Sequence, residues 1–190
     1  VLAQDVDGVP LEVVVSDNRS TDGTEDVVRP FLADPRVRYH RSDRDLELFA
    51  SFKRAVELGS GDAFVALGAD DVLLPGCLAH LAARLDGDAR GSVVFAGCAA
   101  RIIDGEGRPI PLRLRPRPLG RVSGRQLRSR MLRTGLNLVG SPSTVLIRRS
   151  AFDAVGGFRP DAGYAGDLDL WIRLAEEGDA DLSADELVLY

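Results

Sequence analysis

The stretch L-E-V-V-V-S-D-N-R-S-T-D-G-T, Leu11 to Thr24, decides how this chain folds. Leu11–Val15 is continuous, rich in β-branched residues and bounded by Pro10 and Ser16, the pattern of a buried strand in a parallel sheet. The run behind it is polar. Thr21 or Asp22 is placed to cap a helix reaching about Leu32, with Glu25 and Asp26 in the first turn, where the helix dipole favours negative charge.

Working outward, Val37–His40 predicts a second short strand, and Leu46–Leu58 a helix whose apolar face carries Leu48, Phe52, Ala55 and Val56. Gly59–Gly61 ends that helix, Phe64–Leu67 predicts the next strand, and Pro75 opens a helix through Leu85. Strand and helix alternate, so the fold class is α/β, a single domain on a mostly parallel, doubly wound, Rossmann-like sheet with flanking helices. Later segments are less regular. Ser92–Ala96, Arg101–Asp104 and Ser143–Arg148 predict strands, while Gly124–Thr134, Ser150–Val155 and Asp169–Glu177 predict helices, the last capped by Asp169. Gly105–Leu119 holds Pro109, Pro111, Pro116 and Pro118 and predicts an exposed loop.

Two further acidic clusters follow the first in order, G-A-D-D (Gly68 to Asp71) and G-D-L-D-L-W (Gly166 to Trp171). The first two clusters directly follow apolar runs, and strand ends are where an α/β sheet presents side chains to a ligand. Carboxylates there repel a bare diphosphate. They suit a divalent cation held between acid and phosphate, or hydroxyl and imide donors, a combination that points to a sugar nucleotide.

With 190 residues, 45% of them hydrophobic, the chain has enough apolar material for one packed domain. No apolar run approaches the roughly 20 residues of a membrane span. Cys77 and Cys98 lack metal-ligand spacing and read as core thiols in a reducing, cytoplasmic compartment. Only His40 and His80 are available for zinc or histidine-base chemistry. The net charge of −5 conceals an asymmetry: residues 101–150 hold 12 arginines against Asp104 and Glu106. No nucleic-acid reading element accompanies them, so nucleic acid is not an expected partner. The basic segment is either a solvated surface or a mouth that attracts an anionic acceptor or phospholipid headgroups, the latter placing the protein at a membrane face.

Five motifs in register resemble a family 2 glycosyltransferase of the GT-A fold. V-S-D-N-R-S-T-D-G-T (Val15–Thr24) and L-G-A-D-D-V-L-L-P (Leu67–Pro75) come first. P-S-T-V-L-I-R-R (Pro142–Arg149), G-G-F (Gly156–Phe158) and G-D-L-D-L-W (Gly166–Trp171) follow. The resemblance implies an inverting transfer of sugar from a nucleotide-diphospho-sugar to an acceptor hydroxyl on a glycan, a lipid-linked molecule or another carrier. It implies a nucleotide-binding half over about residues 1–100 and an acceptor and catalytic half over about 101–190. By the same resemblance Asp17 and Asp22 contact the nucleotide, Asp70 ligates Mn²⁺ or Mg²⁺ and the sugar nucleotide, Asp71 assists the metal, and Asp167 is the catalytic base. Trp171 and Arg173 are expected to serve packing first.

Three departures accompany the resemblance. Gly68 stands where the family has the first acid of D-x-D, and Gly166 where it has the glutamate before the base. The family's opening strand and its P-T-Y-N-like motif are not matched, so an N-terminally truncated domain is expected, open between Leu11–Val15 and Phe64–Leu67. These departures also fit a second reading, a degenerate nucleotide-sugar binding or interaction module without turnover. A nucleotidyltransferase fits less well, because no Gly-rich basic loop lies near the start.

Overall fold

β1 (Val13–Asp17) and β2 (Val37–Arg41) form a two-stranded parallel sheet, in register from Val13 opposite Val37 to Asp17 opposite Arg41. The computed structural model to which they belong describes every residue except Asp7 and Ala89. Between the strands, α1 (Thr24–Val28) tightens into a 3-10 turn over Arg29–Ala33 at Pro30, which has no N–H to continue the α ladder. The expected helix therefore has its predicted extent but two geometries. β1 itself is half-buried rather than buried on both faces, because β2 is its only strand neighbour among the described residues.

α2 (Leu48–Leu58) packs on β1 and buries Phe49 and Val56. Leu48, expected inward, points to solvent, and Phe49 takes the core position instead. Phe49 joins Phe52 and Phe158 in an aromatic cluster with ring centroids 5.5–6.0 Å apart.

The larger sheet has seven strands in the order β3-β8-β5-β9-β4, with β6 added on β5 and β7 on β9. These are β3 (Ala63–Phe64), β4 (Val72–Leu73), β5 (Val93–Ile103), β6 (Pro109–Leu114), β7 (Gly120–Val122), β8 (Val145–Arg148) and β9 (Asp179–Leu189). Among the described residues only β5 and β9 pair in parallel in this sheet; its other pairings are antiparallel. The alternating α/β pattern of the first half is present, but the second half returns strands antiparallel and makes the sheet mixed.

The Phe64–Leu67 strand is corrected. Only Ala63 and Phe64 pair, antiparallel to β8, and the residues after them run unpaired between two apolar layers. Ala66 belongs to one layer while Val65 and Leu67 pack on the other, so packing accounts for the apolar run without a ladder. Gly105–Leu119 is corrected too. Pro109–Leu114 is an edge strand paired with β5, where a missing N–H does not interrupt a central ladder. The two strands predicted at 92–96 and 101–104 are one, β5. β9 was not anticipated, and it supplies β5 with its parallel neighbour.

One apolar layer lies beneath α3 (Cys77–Asp86), with Leu81, Leu85, Ala96, Cys98 and Val188 at its centre. Cys77 and Cys98 are both buried in this layer, as expected of core thiols, and the nearby Cys77 thiol together with burial pushes the Cys98 thiol up. The other layer holds Phe95, Ile147, Leu170, Trp171, Leu174 and Leu182 under α4 (Gly124–Thr134), α5 (Arg149–Ala154) and α6 (Gly166–Glu177). Neighbouring strand residues normally face opposite layers. The bulge in β5 between Val93 and Phe95 breaks that alternation, so that consecutive Val94 and Phe95 join one layer while Val93 and Ala96 join the other.

Candidate functional site

β1 ends on Asp17, the one buried residue of that strand. Its Oδ1 accepts from the Ser20 N–H at 2.7 Å, its Oδ2 accepts from the Tyr39 hydroxyl at 2.5 Å, and the Arg41 guanidinium lies 3.5 Å away. Burial opposes ionisation, but these bonds and Arg41 outweigh it, and the carboxyl sits below the usual range. The same bond pushes the Tyr39 phenol up to about 12. Asn18 clamps the loop beyond by donating to the Leu46 carbonyl and accepting the Leu46 N–H, both at 2.9 Å. Asp22 is exposed and accepts from the Thr24 N–H at 3.0 Å and its hydroxyl at 2.5 Å, which lowers its carboxyl and stabilises the start of α1.

In the second cluster, the Gly68 N–H donates to the Ser143 hydroxyl at 2.9 Å, and that hydroxyl donates to Asp71 Oδ2 at 2.5 Å. Partial burial pushes the Asp71 carboxyl up, the Ser143 bond offsets part of this, and the Asp70 charge adds to the rise. A Cβ on Gly68 would sit 2.7 Å from Asp71 Oδ2 and 3.1 Å from Asp70 Oδ1, so both carboxylates lean over this glycine. An acid at position 68 would crowd two carboxylates already at this spot, one of them held by Ser143.

Neither Asp70 nor Asp71 forms an ion pair with a basic residue among the described residues. The pair offers oxygen donors only, the donor type of Mg²⁺ or Mn²⁺. Among the described residues no group of three His, Cys, Asp or Glu gathers to cage a metal. Two carboxylates with the remaining positions left to phosphate oxygens and water is a common magnesium arrangement, so these residues fit such a cation.

The third cluster opens α6, which begins at Gly166. Asp167 accepts from Asn137 Nδ2 at 2.7 Å on Oδ2 and from the Leu168 N–H at 2.6 Å on Oδ1. Burial raises its carboxyl above the usual value, against both of these bonds. A Cβ on Gly166 would meet the Phe49 ring at 2.3 Å, so the aromatic cluster occupies the space a glutamate would need. Asp169 is not the cap of α6; it lies inside the first turn and receives Arg173 Nε at 2.9 Å and Nη2 at 2.6 Å. Arg173 is itself buried and donates to the Val155 carbonyl at 2.8 Å, while Trp171 is fully buried, so both serve packing as expected.

Residues 137–144 connect the second and third clusters. Asn137 Oδ1 accepts the N–H groups of Val139 (3.0 Å) and Gly140 (2.9 Å), and the Gly140 carbonyl accepts Trp171 Nε1 at 3.0 Å. Thr144 then ties back to the Ser141 carbonyl at 2.8 Å. Asn137 holds Asp167 at one end of this braced loop, and Ser143 holds Asp71 at the other. Among the described residues no hydrogen bond or ion pair joins Asp17 or Asp22 to Asp70, Asp71 or Asp167. Ser143 lay inside a recognised motif but carried no expected role. Asn137, Gly140 and Tyr39 carried no signal, because their roles depend on which loops meet.

Comparison with known proteins agrees with this architecture. The sequence model described as Glycosyl transferase family 2 matches residues 1–156. An uncharacterized protein of Mycobacterium tuberculosis, MT1568, is 31% identical over 175 residues, covering 88% of this chain and 54% of that protein. The chain spans about half the length of the curated full-length relatives it matches. The crystal structure of Staphylococcus aureus TarS 1–349 with UDP superposes with a TM-score of 0.74 at 19% identity, covering 98% of this chain and 53% of that one. The mannosyltransferase PcManGT of Pyrobaculum calidifontis, in complex with GDP-Man and Mn²⁺, gives a TM-score of 0.67 at 21% identity, covering 95% and 47%. At these identities the two structures show the fold.

Proposed function

The chain belongs to glycosyl transferase family 2, and from that premise we propose that it transfers a sugar from a nucleotide-diphospho-sugar to an acceptor hydroxyl with inversion. The observation that carries this reading is the braced loop 137–144, which hydrogen-bonds both Asp71, the neighbour of Asp70, and the half-buried carboxylate of Asp167. The first half, about residues 1–100, takes the donor, with Asp17 and Asp22 toward the nucleotide. The second half, about 101–190, takes the acceptor, a glycan, lipid-linked or other hydroxyl carrier, at the cytoplasmic face of a membrane.

Asp70 and Asp71 would hold a divalent cation. Such a cation, when bound, supplies positive charge to the leaving diphosphate. UDP in TarS, and GDP-Man with Mn²⁺ in PcManGT, support this choice of ligands. The proton step belongs to Asp167. Its carboxylate takes the proton of the acceptor hydroxyl as that oxygen attacks the anomeric carbon, and the sugar–diphosphate C–O bond breaks with its electron pair going to the diphosphate. Burial makes Asp167 a stronger base than an exposed aspartate, and Asn137 fixes its orientation. Each carboxylate oxygen accepts one protein hydrogen bond and keeps a lone pair for the hydroxyl.

The test is Asp167→Asn. Transfer should fall about 10²–10⁴-fold while affinity for a nucleoside diphosphate with Mn²⁺ is kept. Undiminished turnover in the variant overturns the assignment. Nucleotide binding by the parent without transfer to any acceptor in a panel of glycans and lipid-linked sugars favours the module that binds without turnover.

A further inference from the structure

The segment from Gly107 to Phe152 contains no acidic residue, and until Phe152 no aromatic one. Its arginines are not spread evenly. Arg113 on β6 lies opposite Arg101 on β5, a like-charged cross-strand pair that by itself disfavours the sheet. Both guanidiniums, together with that of Arg115, converge on the single carboxylate of Glu186, at 2.5 Å, 2.9 Å and 3.1 Å. One carboxylate shared by three guanidiniums leaves a local excess of positive charge.

The strand then turns toward the candidate site. The Arg117 N–H donates to the Leu138 carbonyl at 2.7 Å, one residue from the Asn137 that holds Asp167. Neither Arg117 nor Arg133, at the end of α4, makes an ion pair among the described residues. Leu119 and Leu136, on the two segments joined by that bond, are 54% and 59% exposed. Unpaired arginines beside exposed aliphatic side chains resemble the polar and apolar halves of a surface that settles into headgroups and the first acyl carbons. A single-stranded nucleic-acid surface would offer aromatic rings interleaved with the basic residues for stacking, and the run from Gly107 to Ala151 has none; exposed Tyr164 and Tyr190 lie outside it.

We propose that Arg113, Arg115, Arg117, Arg133, Leu119 and Leu136 form a docking surface for an anionic phospholipid bilayer. Docking there would bring the Asp167 end of the site toward hydroxyls borne at the bilayer surface. That orientation rests on the transferase reading; the binding does not.

The experiment is co-sedimentation of the chain with vesicles of phosphatidylcholine alone or mixed with phosphatidylglycerol, alongside Mn²⁺-dependent binding of UDP and GDP to the same preparations. Association should require phosphatidylglycerol and weaken as salt is raised, since screening shortens from about 10 Å at 0.1 M to about 3 Å at 1 M. Each basic side chain near an anionic leaflet contributes about fivefold to partitioning. Arg117→Gln with Arg133→Gln should therefore lower it about 25-fold, and Leu119→Ser with Leu136→Ser should lower it at both salt levels. Arg44→Gln with Arg90→Gln removes the same charge elsewhere and should leave partitioning unchanged. Absence of binding to phosphatidylglycerol vesicles at low salt overturns the proposal, as does an equal loss in the Arg44/Arg90 control. Equal binding of a single-stranded oligonucleotide through the same arginines overturns the choice of lipid. Nucleotide binding without vesicle binding defeats this surface alone, while vesicle binding without nucleotide binding defeats the transferase reading alone.

Discussion

The two-stranded sheet and the seven-stranded sheet carry the same kind of residue, aspartates at element ends, on very different supports. In the seven-stranded region, β5 is buried continuously from Val93 to Ala100 and is packed on both faces. In the two-stranded region, α1 and its 3-10 extension bury no residue, and Val27 and Phe31 are 68% and 53% exposed. Asp71 and Asp167 are thus held by the dense region through Ser143 and Asn137, whereas Asp17 is held mainly by polar bonds from Tyr39, Ser20 and Arg41. Local stability follows buried apolar contact, so Asp17 and Asp22 sit on the softer support, and Asp71 and the proposed base Asp167 on the stiffer one.

The sharpest way to break this contrast is to truncate one aromatic residue in each region. Trp171→Ala removes a fully buried ring that contacts Phe95 at a centroid distance of 5.7 Å, and should cost about 3–5 kcal/mol. Phe31→Ser removes an exposed ring and should stay within about 0.5 kcal/mol. Urea denaturation of both variants decides the matter, and similar losses would mean that α1 is packed after all.

Overpacking should have an intermediate effect. Gly166→Ala drives a Cβ into the Phe49 ring and should cost about 1–3 kcal/mol, with transfer reduced because Asp167 is the next residue. Pairing it with Phe49→Leu, which removes ring atoms from that space, should restore part of both losses. No recovery in the double variant would show that Gly166 is required for another reason.

The smallest effect is one of pH, and its sign separates the regions. Asp17 is depressed in the folded chain, so its contribution is present above the unfolded value of about 3.9 and is lost as pH falls through the lower folded value. Asp71 and Asp167 are raised, so theirs is fully present below about 3.9 and is lost as pH rises through the higher folded values. Acidification from neutral pH should therefore relieve the 137–144 loop before it loosens β1 and β2. Hydrogen exchange followed peptide by peptide, corrected for intrinsic rates, would show protection rising at the loop first. Loss of protection at both places together would remove the distinction.

How much of this was legible beforehand depended on how local each feature is. Leu11–Val15, the acid-rich start of α1, the helix over 124–134 and the stop at Gly59 follow from residue type and spacing, and the structure has elements at each place. Partnership is different. Phe64–Leu67 has the apolarity of a strand, yet its middle is apolar because two layers close on it. Pro109–Leu114 has the prolines of a loop, yet an edge position tolerates them. The acids at the strand and helix ends were visible at once, but Asn137 and Ser143 were not, since an uncharged side chain gains its role only from the loop that meets it.

By itself, then, the sequence determined an α/β chain of the glycosyltransferase 2 pattern with acids at positions 17, 22, 70, 71 and 167, because periodicity and motif spacing are properties of neighbouring residues. Only the tertiary structure decided the mixed strand order, the shared support of Asp71 and Asp167, and what fills the space beside Gly166. The reason is that these depend on atoms distant in sequence meeting in one volume: the Phe49 ring over Gly166, and a loop with one end at each proposed half-site.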